Sequence, residues 1–219
     1  EKFKLMDVMI TCTPCFLTDL RKMSINTYLL YHGFEKAILD GIKNTDSIHS
    51  SEIMFSGSLY TGSGFHTERI SYIEKMLEEG INITLYCNLE SFKKILAKKI
   101  ASKTLRIAEK VSLTKILTAI PVIRKYQRFG NNPIQFYSTK LTRSARQPIF
   151  GLEMYKLLAN SKICFNIHGE IAMKCAGNLR LFEATGAGTC LITDWKENLS
   201  SLFEQEREIV TYKSVEECI

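Results

Sequence analysis

Apolar and polar residues alternate along the chain in short blocks that predict strands and helices in turn. A β-prone run at 7–11, a helical pattern at 17–23 and a second β-prone run at 26–31 predict a β-α-β unit near the N-terminus. Residues 40–52 are rich in Asn, Asp, Ser and His and poor in large apolar side chains, which is typical of a solvated linker. The pattern therefore predicts a division of the chain near this point.

The next stretch has the pattern that opens a doubly wound sheet. An apolar run at 53–57 leads into a loop of small residues at 57–64, and a helical pattern follows at 67–79. Gly80 stands where a helix C-cap is expected, and a β-prone run at 81–86 comes directly after it. We expect a strand, a Gly-rich turn, a helix and a second strand here.

The alternation resumes at Gly151 and continues to the end of the chain. Predicted helices lie at 152–159, 179–185, 199–204 and from 214 onward, and predicted strands lie at 162–167, 189–193 and 208–212. Strands that alternate with helices favour a parallel sheet with right-handed crossovers. The sequence thus predicts an α/β fold with a Rossmann-like parallel sheet flanked by helices, plus a basic helical insert.

The insert is predicted from residues 90–129, where apolar residues recur at helical spacing with lysines between them. We expect basic amphipathic helices there, broken near Pro121 and ended at 130–133. Residues 93–146 hold 14 Lys and Arg residues and a single acidic residue, Glu109, although the net charge of the chain is only +6. Such a block suits an anionic membrane surface, an acidic protein face or a nucleic acid.

Cysteine usage and the absence of a membrane segment favour a cytoplasmic protein. The seven Cys residues are odd in number and stand mostly in apolar stretches, so a disulfide framework is not expected. Cys12 and Cys15 have redox-motif spacing, but Cys12 is also explained as the buried end of a strand. No apolar run reaches about 20 residues and no secretory signal is recognisable, and we interpret the chain as a piece of a longer protein.

Candidate binding residues follow the predicted strands. Ligands of open parallel sheets bind beyond the carboxyl ends of the strands, where the loops 57–64, 166–178 and 193–198 are predicted to emerge. The middle loop is the richest, because Asn166 and His168 follow an apolar strand directly. We predict that the binding site forms at this edge.

Arg180 and Glu183 are three residues apart at the start of a predicted helix, so they share one helix face. A guanidinium suits a diphosphate, and a carboxylate can accept hydrogen bonds from both hydroxyls of a ribose. The alternative is an ion pair on the protein surface. No Cys or His cluster has metal-ligand spacing and no Asp-x-Asp is present, so no metal ion is expected.

Four segments together resemble a known family. These are GLEMYKLLA at 151–159, SKICFN at 161–166, RLFEA at 180–184 and GTCLITD at 188–194. In this order they resemble the CgeB-like branch of the GT-B glycosyltransferases, specifically the C-terminal domain of group 1 enzymes. The resemblance spans about residues 53–219, weakens across the basic insert and is strongest after Gly151.

The resemblance implies that Glu183 holds the ribose of a nucleotide-diphosphate sugar. It places the other predicted contacts around that donor, with His168 as the candidate catalytic group: Arg180, Asn178 and Asn166 near the donor, Ser58 and Gly57 near the phosphates, and Tyr86 near the base. Many retaining relatives carry a further Glu shortly before the ribose Glu. This chain has none at that place, and Glu170 lies farther back.

The function implied is transfer of a sugar from a nucleotide-diphosphate donor, without a cofactor or protein-held metal, to a glycan, lipid-linked or protein acceptor. Residues 1–40 are expected to be a remnant of the acceptor-side domain, 41–52 a linker, and 53–219 the donor-binding domain with its insert at about 90–146. We expect a cytoplasmic protein, peripheral at the inner face of a membrane through 93–146. Alternatives are a catalytically silent nucleotide-sugar scaffold or sensor, and a nucleic-acid-binding protein, for which a recognised motif is missing.

Overall fold

The computed structural model describes residues 5–43, 50–62, 66–110 and 134–219. These residues form two separate sheets, of two and six strands. The N-terminal unit consists of β1 (Met9–Thr11), α1 (Pro14–Lys22) and β2 (Thr27–Leu29), and α2 (Ala37–Ile42) follows it. Since β1 and β2 pair in parallel, the predicted β-α-β beginning is confirmed.

The six-stranded sheet is the centre of the protein. Its strands are β3 (Ser51–Ser56), β4 (Ile83–Tyr86), β5 (Ala145–Arg146), β6 (Ser161–Asn166), β7 (Cys190–Asp194) and β8 (Val210–Tyr212). They lie in the order β5-β4-β3-β6-β7-β8, and every neighbouring pair is parallel. This is the strand order of a Rossmann-like fold, which confirms the predicted fold class.

Helices connect the strands and cover the sheet. They are α3 (Thr67–Glu78), α4 (Phe92–Lys110), α5 (Thr139–Ser144), α6 (Gly151–Ala159), α7 (Arg180–Gly186) and α8 (Val215–Cys218), with 3₁₀ helices at Glu170–Ala172 and Leu199–Ser201. Gly80 follows α3 with φ of +86°, a conformation that favours glycine, as expected of a C-cap. The predicted helix at 199–204 is shorter than expected and has 3₁₀ geometry.

Apolar cores lie on both faces of the sheet, which explains why its central strands are continuously apolar. Met54 and Phe55 are adjacent on β3, point to opposite faces and are 0% and 2% exposed. Phe55 packs in the core with Ile73 of α3, whereas Met54 packs in the core with Leu157 of α6. Both cores fix the strand ends that carry the candidate site.

The pattern of the sequence did not reveal α5 and β5. Ser138 caps α5, because its side-chain oxygen accepts a hydrogen bond from the backbone N–H of Leu141 at 3.0 Å, and Leu141 is fully buried. The strand β5 has only two residues, which is too short to show an alternating pattern. Residues 145 and 146, which we assigned to the end of the helical insert, therefore belong to the sheet.

Within residues 90–129 the described part of the chain forms the single helix α4, and the predicted break at Pro121 and end at 130–133 lie outside the described residues. Lys98 of this helix is not solvated: its ammonium lies 2.6 Å from the Glu90 carboxylate and donates to the Thr61 carbonyl at 2.9 Å. No helix in the described ranges is long and apolar enough to cross a membrane.

A disulfide joins the N-terminal unit to the main domain, contrary to the expectation from cysteine usage. It links Cys15, in the first turn of α1, to Cys175, which precedes α7. Its partners are 160 residues apart, so no local spacing indicated the pairing. Cys12 stays a free thiol, and the redox-motif spacing of Cys12 and Cys15 is therefore not used for a bond between them.

The N-terminal unit also packs closely on the residues beside this disulfide. A Cβ atom on Gly177 would lie 2.8 Å from the Cys12 carbonyl oxygen, and one on Gly186 would overlap the Phe34 side chain. Glycine is required at Gly177 because the Cys12 backbone lies so close, and at Gly186 because the Phe34 side chain does. The segment that leads into α7 is thus held between the two sheets.

Part of the predicted linker at 41–52 is regular structure. Gly41 lies in α2, where a Cβ atom would meet the Leu152 side chain of α6 at 3.2 Å, and Ser51 begins β3. Residues 44–49 lie outside the described residues. The division into a remnant, a linker and a donor-binding domain stays a prediction.

Candidate functional site

A crevice opens at the carboxyl ends of β3, β4 and β5, beside the point where the strand order reverses between β3 and β6. Its volume is about 270 Å³. Four predicted donor-binding residues line it, namely Gly57, Ser58, Tyr86 and Arg180. The remaining lining comes from Ser56, Tyr60, Cys87, Asn88, Pro148, Ile149, Phe150 and Met154.

The floor of the crevice is formed where β3 enters its loop. A Cβ atom on Gly57 would lie 2.9 Å from the Phe55 ring and 3.4 Å from Arg69 Nη1, so only glycine fits without displacement. The Gly57 N–H donates to the carbonyl of Tyr86 at 3.3 Å, which holds the two strand ends together. Burial raises the pKa of the Tyr86 phenol, so this side chain stays neutral.

Arg180 and Glu183 form a buried ion pair in the first turn of α7. Arg180 Nη1 lies 3.0 Å from Glu183 Oε2, and their side chains are only 14% and 9% exposed. Tyr155 of α6 donates its hydroxyl proton to Glu183 Oε1 at 3.4 Å. The alternative of a solvent-exposed surface pair is wrong, because both side chains are largely buried where α7 packs on α6.

The two members of this pair differ in their access to the crevice. Arg180 lines it, whereas Glu183 is not among its lining residues. Within the described residues, Arg180 Nε is buried without a hydrogen-bond partner. A buried guanidinium N–H without an acceptor at the wall of a crevice is a position that an anionic or polar ligand can satisfy.

Asn166 and Asn178 form a chain of amide hydrogen bonds across the strand ends. Asn178 Nδ2 donates to Asn166 Oδ1 at 2.8 Å, and Asn166 Nδ2 donates to the Thr193 hydroxyl at 2.8 Å. The backbone carbonyl of Asn166 accepts from the Tyr212 hydroxyl at 2.9 Å. Asn166 is therefore engaged in positioning its neighbours, while Asn178 Oδ1 is buried without a partner among the described residues.

His168 forms a carboxylate–imidazole pair with Asp194, at the end of β7. Asp194 Oδ1 lies 2.7 Å from His168 Nδ1 and accepts from the His168 backbone N–H at 2.8 Å, and Lys196 Nζ lies 3.0 Å from Asp194 Oδ2. Burial opposes ionisation of Asp194, but the hydrogen bonds and charge of His168, together with the Lys196 ammonium, outweigh it and lower the pKa of Asp194 to about 2.

This pairing determines which His168 nitrogen is available for chemistry. Asp194 Oδ1 is the partner of Nδ1, so Nε2 is the ring nitrogen that points away from the carboxylate. The His168 side chain is 1% exposed, and Nε2 has no hydrogen-bond partner in the described part of the chain. The geometry leaves this one ring nitrogen poised at the carboxyl end of β6.

Sequence reasoning missed Asp194 as a partner of His168. The two residues are 26 positions apart and end neighbouring strands, with Asn166 paired to Thr193 in the register of the sheet. The sequence did contain a signal for Asp194, because this residue ends an apolar run and begins one of the loops predicted to face the ligand. Only the pairing of β6 with β7 shows that Asp194 contacts His168.

Arg69 of α3 is partly buried and donates hydrogen bonds to two loops. Its Nε and Nη2 donate to the Ile167 carbonyl at 3.1 and 2.9 Å, and Nη1 donates to the Ser58 carbonyl at 3.4 Å. Burial lowers the pKa of this guanidinium, which nevertheless stays charged at any ordinary pH. Arg69 therefore joins the loops that follow β3 and β6, the two central strands.

Glu170 lies in a 3₁₀ helix close to these loops. One carboxylate oxygen accepts a hydrogen bond from the backbone N–H of Glu68, near the start of α3, at 3.2 Å. No group of three or more His, Cys, Asp or Glu residues in the described ranges is arranged to hold a metal ion. The expected metal independence stays a prediction.

The parallel strand order and a crevice at its point of reversal define the chain as a Rossmann-like domain of the ligand-binding α/β class. Residues 113–219 match the family model described as glycosyl transferase-like. This part of the chain is thus similar to that family, which confirms the resemblance inferred from the sequence. The match contains α6, β6, α7 and β7, the elements that carry Arg180, Glu183 and His168.

Solved structures of similar fold are larger proteins. Sucrose-phosphate synthase from Thermosynechococcus elongatus is 12% identical with a TM-score of 0.49, over 97% of this chain and 47% of that chain. A UDP-forming α,α-trehalose-phosphate synthase from Burkholderia xenovorans is 13% identical with a TM-score of 0.47, over 96% of this chain and 51% of that chain. The chain thus spans about half the length of these proteins. No curated protein sequence matches it significantly.

Proposed function

We propose that this chain is the donor-binding part of a glycosyltransferase, which transfers a sugar from a nucleotide-diphosphate sugar to a glycan, lipid-linked or protein acceptor. The observation that carries the proposal is the position of Arg180. This residue lines a crevice beside the strand-order reversal, and its buried Nε–H has no hydrogen-bond partner among the described residues. The glycosyl transferase-like family match over residues 113–219 supports the reaction class.

Arg180 binds the diphosphate in this proposal. Charge builds up on the leaving nucleoside diphosphate as the glycosidic bond breaks, and a fixed guanidinium stabilises it. The ion pair with Glu183 holds the Arg180 side chain in place before the donor arrives, so little reorganisation is needed. Ser58 and Gly57, which also line the crevice, lie near the phosphates in this proposal, and Tyr86 lies near the base.

Glu183 accepts hydrogen bonds from the ribose hydroxyls. An ionised carboxylate has about four lone-pair sites, of which Arg180 and Tyr155 occupy two in this structure. The remaining sites suffice for two ribose hydroxyls if the ribose lies beside Arg180. Asn178 is a further contact to the nucleotide sugar in this proposal, because its Oδ1 has no hydrogen-bond partner among the described residues. Asn166 holds Asn178 in place by accepting its amide hydrogen bond.

His168 is the proposed catalytic group. Its Nε2 lone pair accepts a proton or a hydrogen bond from a sugar hydroxyl, and the ionised Asp194 stabilises the imidazolium that proton transfer would produce. The same proposal includes donor binding without a protein-held metal ion or further cofactor, and a cytoplasmic location.

Isothermal titration of the chain with UDP, GDP, CDP and their sugars tests this proposal. Binding of one nucleotide class is expected, and at 100 times its Kd the ligand should add about 2.7 kcal/mol to the free energy of unfolding. Glu183→Gln should abolish binding. Because Glu183 is buried and paired, the affinity, measured on protein shown to be folded by circular dichroism, is the decisive quantity rather than the melting temperature.

Glu153→Gln is the matched control. Glu153 lies on α6, is half exposed and pairs with Lys156 on the same helix, away from the crevice lining. It should leave the affinity unchanged. Undiminished binding by Glu183→Gln would remove the ribose assignment, and lack of binding of every nucleotide and sugar nucleotide by the unaltered chain would remove the donor site.

A further inference from the structure

The surface of α4 that faces away from the core carries a continuous apolar stripe. Phe92, Leu96, Ile100 and Ile107 are between 40% and 65% exposed. Their spacing of four, four and seven residues brings them within an arc of roughly 80° on one face of a helix. A surface helix normally turns such a stripe inward, so an outward-facing stripe marks an interaction surface.

This exposure is not a sign that α4 is poorly packed. The opposite face of the helix is fully used, since Ile95, Leu105 and Ala108 are at most 5% exposed. The same face is fastened to the protein through the buried ammonium of Lys98, which the Glu90 carboxylate binds at 2.6 Å. The helix thus has two apolar faces, and the described residues of the chain cover only one of them.

Cations surround the outward-facing stripe. Lys93 lies on one flank and Arg106 on the other, and Lys103 and Lys110 lie within its sector toward the C-terminal end of the helix. All four are exposed, and none forms an ion pair or hydrogen bond within the described part of the chain. By contrast, Lys94 and Lys98 both pair with Glu90, so their charge is already compensated.

An aromatic pair extends the stripe at its N-terminal end. The rings of Phe92 and Phe136 stack with centroids 4.7 Å apart, and the Lys99 ammonium lies 4.3 Å from the Phe136 centroid. The stack fixes both rings at the surface without burying them, since Phe92 is 65% and Phe136 is 37% exposed. A fixed exposed aromatic group beside cations suits the boundary between lipid headgroups and acyl chains.

We propose that the face of α4 formed by Phe92, Leu96, Ile100, Ile107 and the flanking Lys93, Lys103, Arg106 and Lys110 binds an anionic lipid bilayer, with α4 lying in the plane of the membrane. An apolar stripe between cations is the pattern of interfacial helices. A nucleic acid would use the cations but leave the stripe in water, and an uncharged apolar partner would use the stripe but not the cations. An anionic bilayer satisfies both. The proposal does not depend on the sugar-transfer function.

Flotation of the whole chain with vesicles tests the proposal. Neutral phosphatidylcholine vesicles are compared with vesicles in which about 30% of the lipid is phosphatidylglycerol. Strong partitioning onto the anionic vesicles and little onto the neutral ones is expected. Each cation near the surface multiplies the partition coefficient by about five, so Lys103→Ala/Arg106→Ala should lower it roughly 25-fold. Ile100→Ser/Ile107→Ser should lower it at least as much, because both apolar side chains leave the bilayer.

Matched controls keep the test specific to this face. Lys36→Ala/Lys213→Ala removes two exposed cations elsewhere, and Tyr28→Ser/Leu30→Ser removes two exposed apolar groups from the N-terminal unit. Both controls should float like the unaltered chain. Every substituted residue is exposed, so all variants should fold, which circular dichroism verifies.

Three outcomes would overturn the proposal. One is that the unaltered chain stays unbound to anionic vesicles. A second is that only the charge variant loses binding, which indicates adsorption to any polyanion, including nucleic acid. The third is a dimer in analytical ultracentrifugation that Ile100→Ser/Ile107→Ser dissociates, which means that a second copy covers the stripe. Nucleotide titration of the same variants should be unaffected, so failure here is distinct from failure of the donor site.

Discussion

Replacing Asp194 by Asn should destabilise the protein in a pH-dependent way. The substitution keeps the size of the side chain and removes the charge that faces His168 and Lys196. The pKa of Asp194 is about 2 in the folded protein, against an ordinary value of 3.8. This difference corresponds to about 2 kcal/mol of stability that the ionised carboxylate contributes at neutral pH.

The sign follows from the direction of the shift. Because the folded-state pKa of Asp194 lies below the unfolded-state value, its contribution is present in full above about pH 5. It is lost as the pH falls through 3.8 toward 2. The Asn variant has no charge to lose, so its deficit in the free energy of unfolding should be about 2 kcal/mol at pH 7 and should shrink steadily below pH 4.

Urea unfolding at pH 7, 5, 4 and 3, followed by circular dichroism, measures this deficit. Asp19→Asn is the matched control, because Asp19 is 56% exposed and lies 3.8 Å from its partner Lys22. Its deficit should stay within about 0.5 kcal/mol at every pH. If Asp194→Asn costs as much at pH 3 as at pH 7, the charge interaction with His168 is not what stabilises the strand ends, and the reasoning fails.

Three further changes probe the rest of the architecture. Gly57→Ala should lower the free energy of unfolding by about 1–3 kcal/mol in the same urea titration, since its Cβ would lie 2.9 Å from the Phe55 ring. The control Gly33→Ala should be neutral, because the space around Gly33 is open. Cys175→Ser should cost about 2–4 kcal/mol by breaking the bond to Cys15, and a reducing agent should destabilise the unaltered chain but not this variant in thermal unfolding. Lys98→Met should lower the free energy of unfolding by about 3 kcal/mol in urea titration, because the buried Glu90 carboxylate would then pair only with the exposed Lys94 ammonium. An unchanged free energy of unfolding would show that the ion pair contributes nothing to stability.

The binding elements were predictable because their signals are local. The apolar run at β6, the start of α7 with Arg180 and Glu183, and the Gly80 turn each depend on a few consecutive residues, and all were predicted within about two residues. The helix α5 and strand β5 were missed because Leu141 and Ala145 stand among basic residues. Their burial comes from neighbouring elements rather than from any periodic pattern of their own.

What the sequence by itself determined is therefore the kind and order of the elements, and with them the parallel sheet and the edge where the candidate site lies. The tertiary structure alone decided the partners: Asp194 for His168, Cys175 for Cys15, and two backbone carbonyls for Arg69. The physical reason is distance along the chain. Periodicity and capping act over a few residues, whereas these contacts join positions 11 to 160 residues apart and exist only once the strands are side by side.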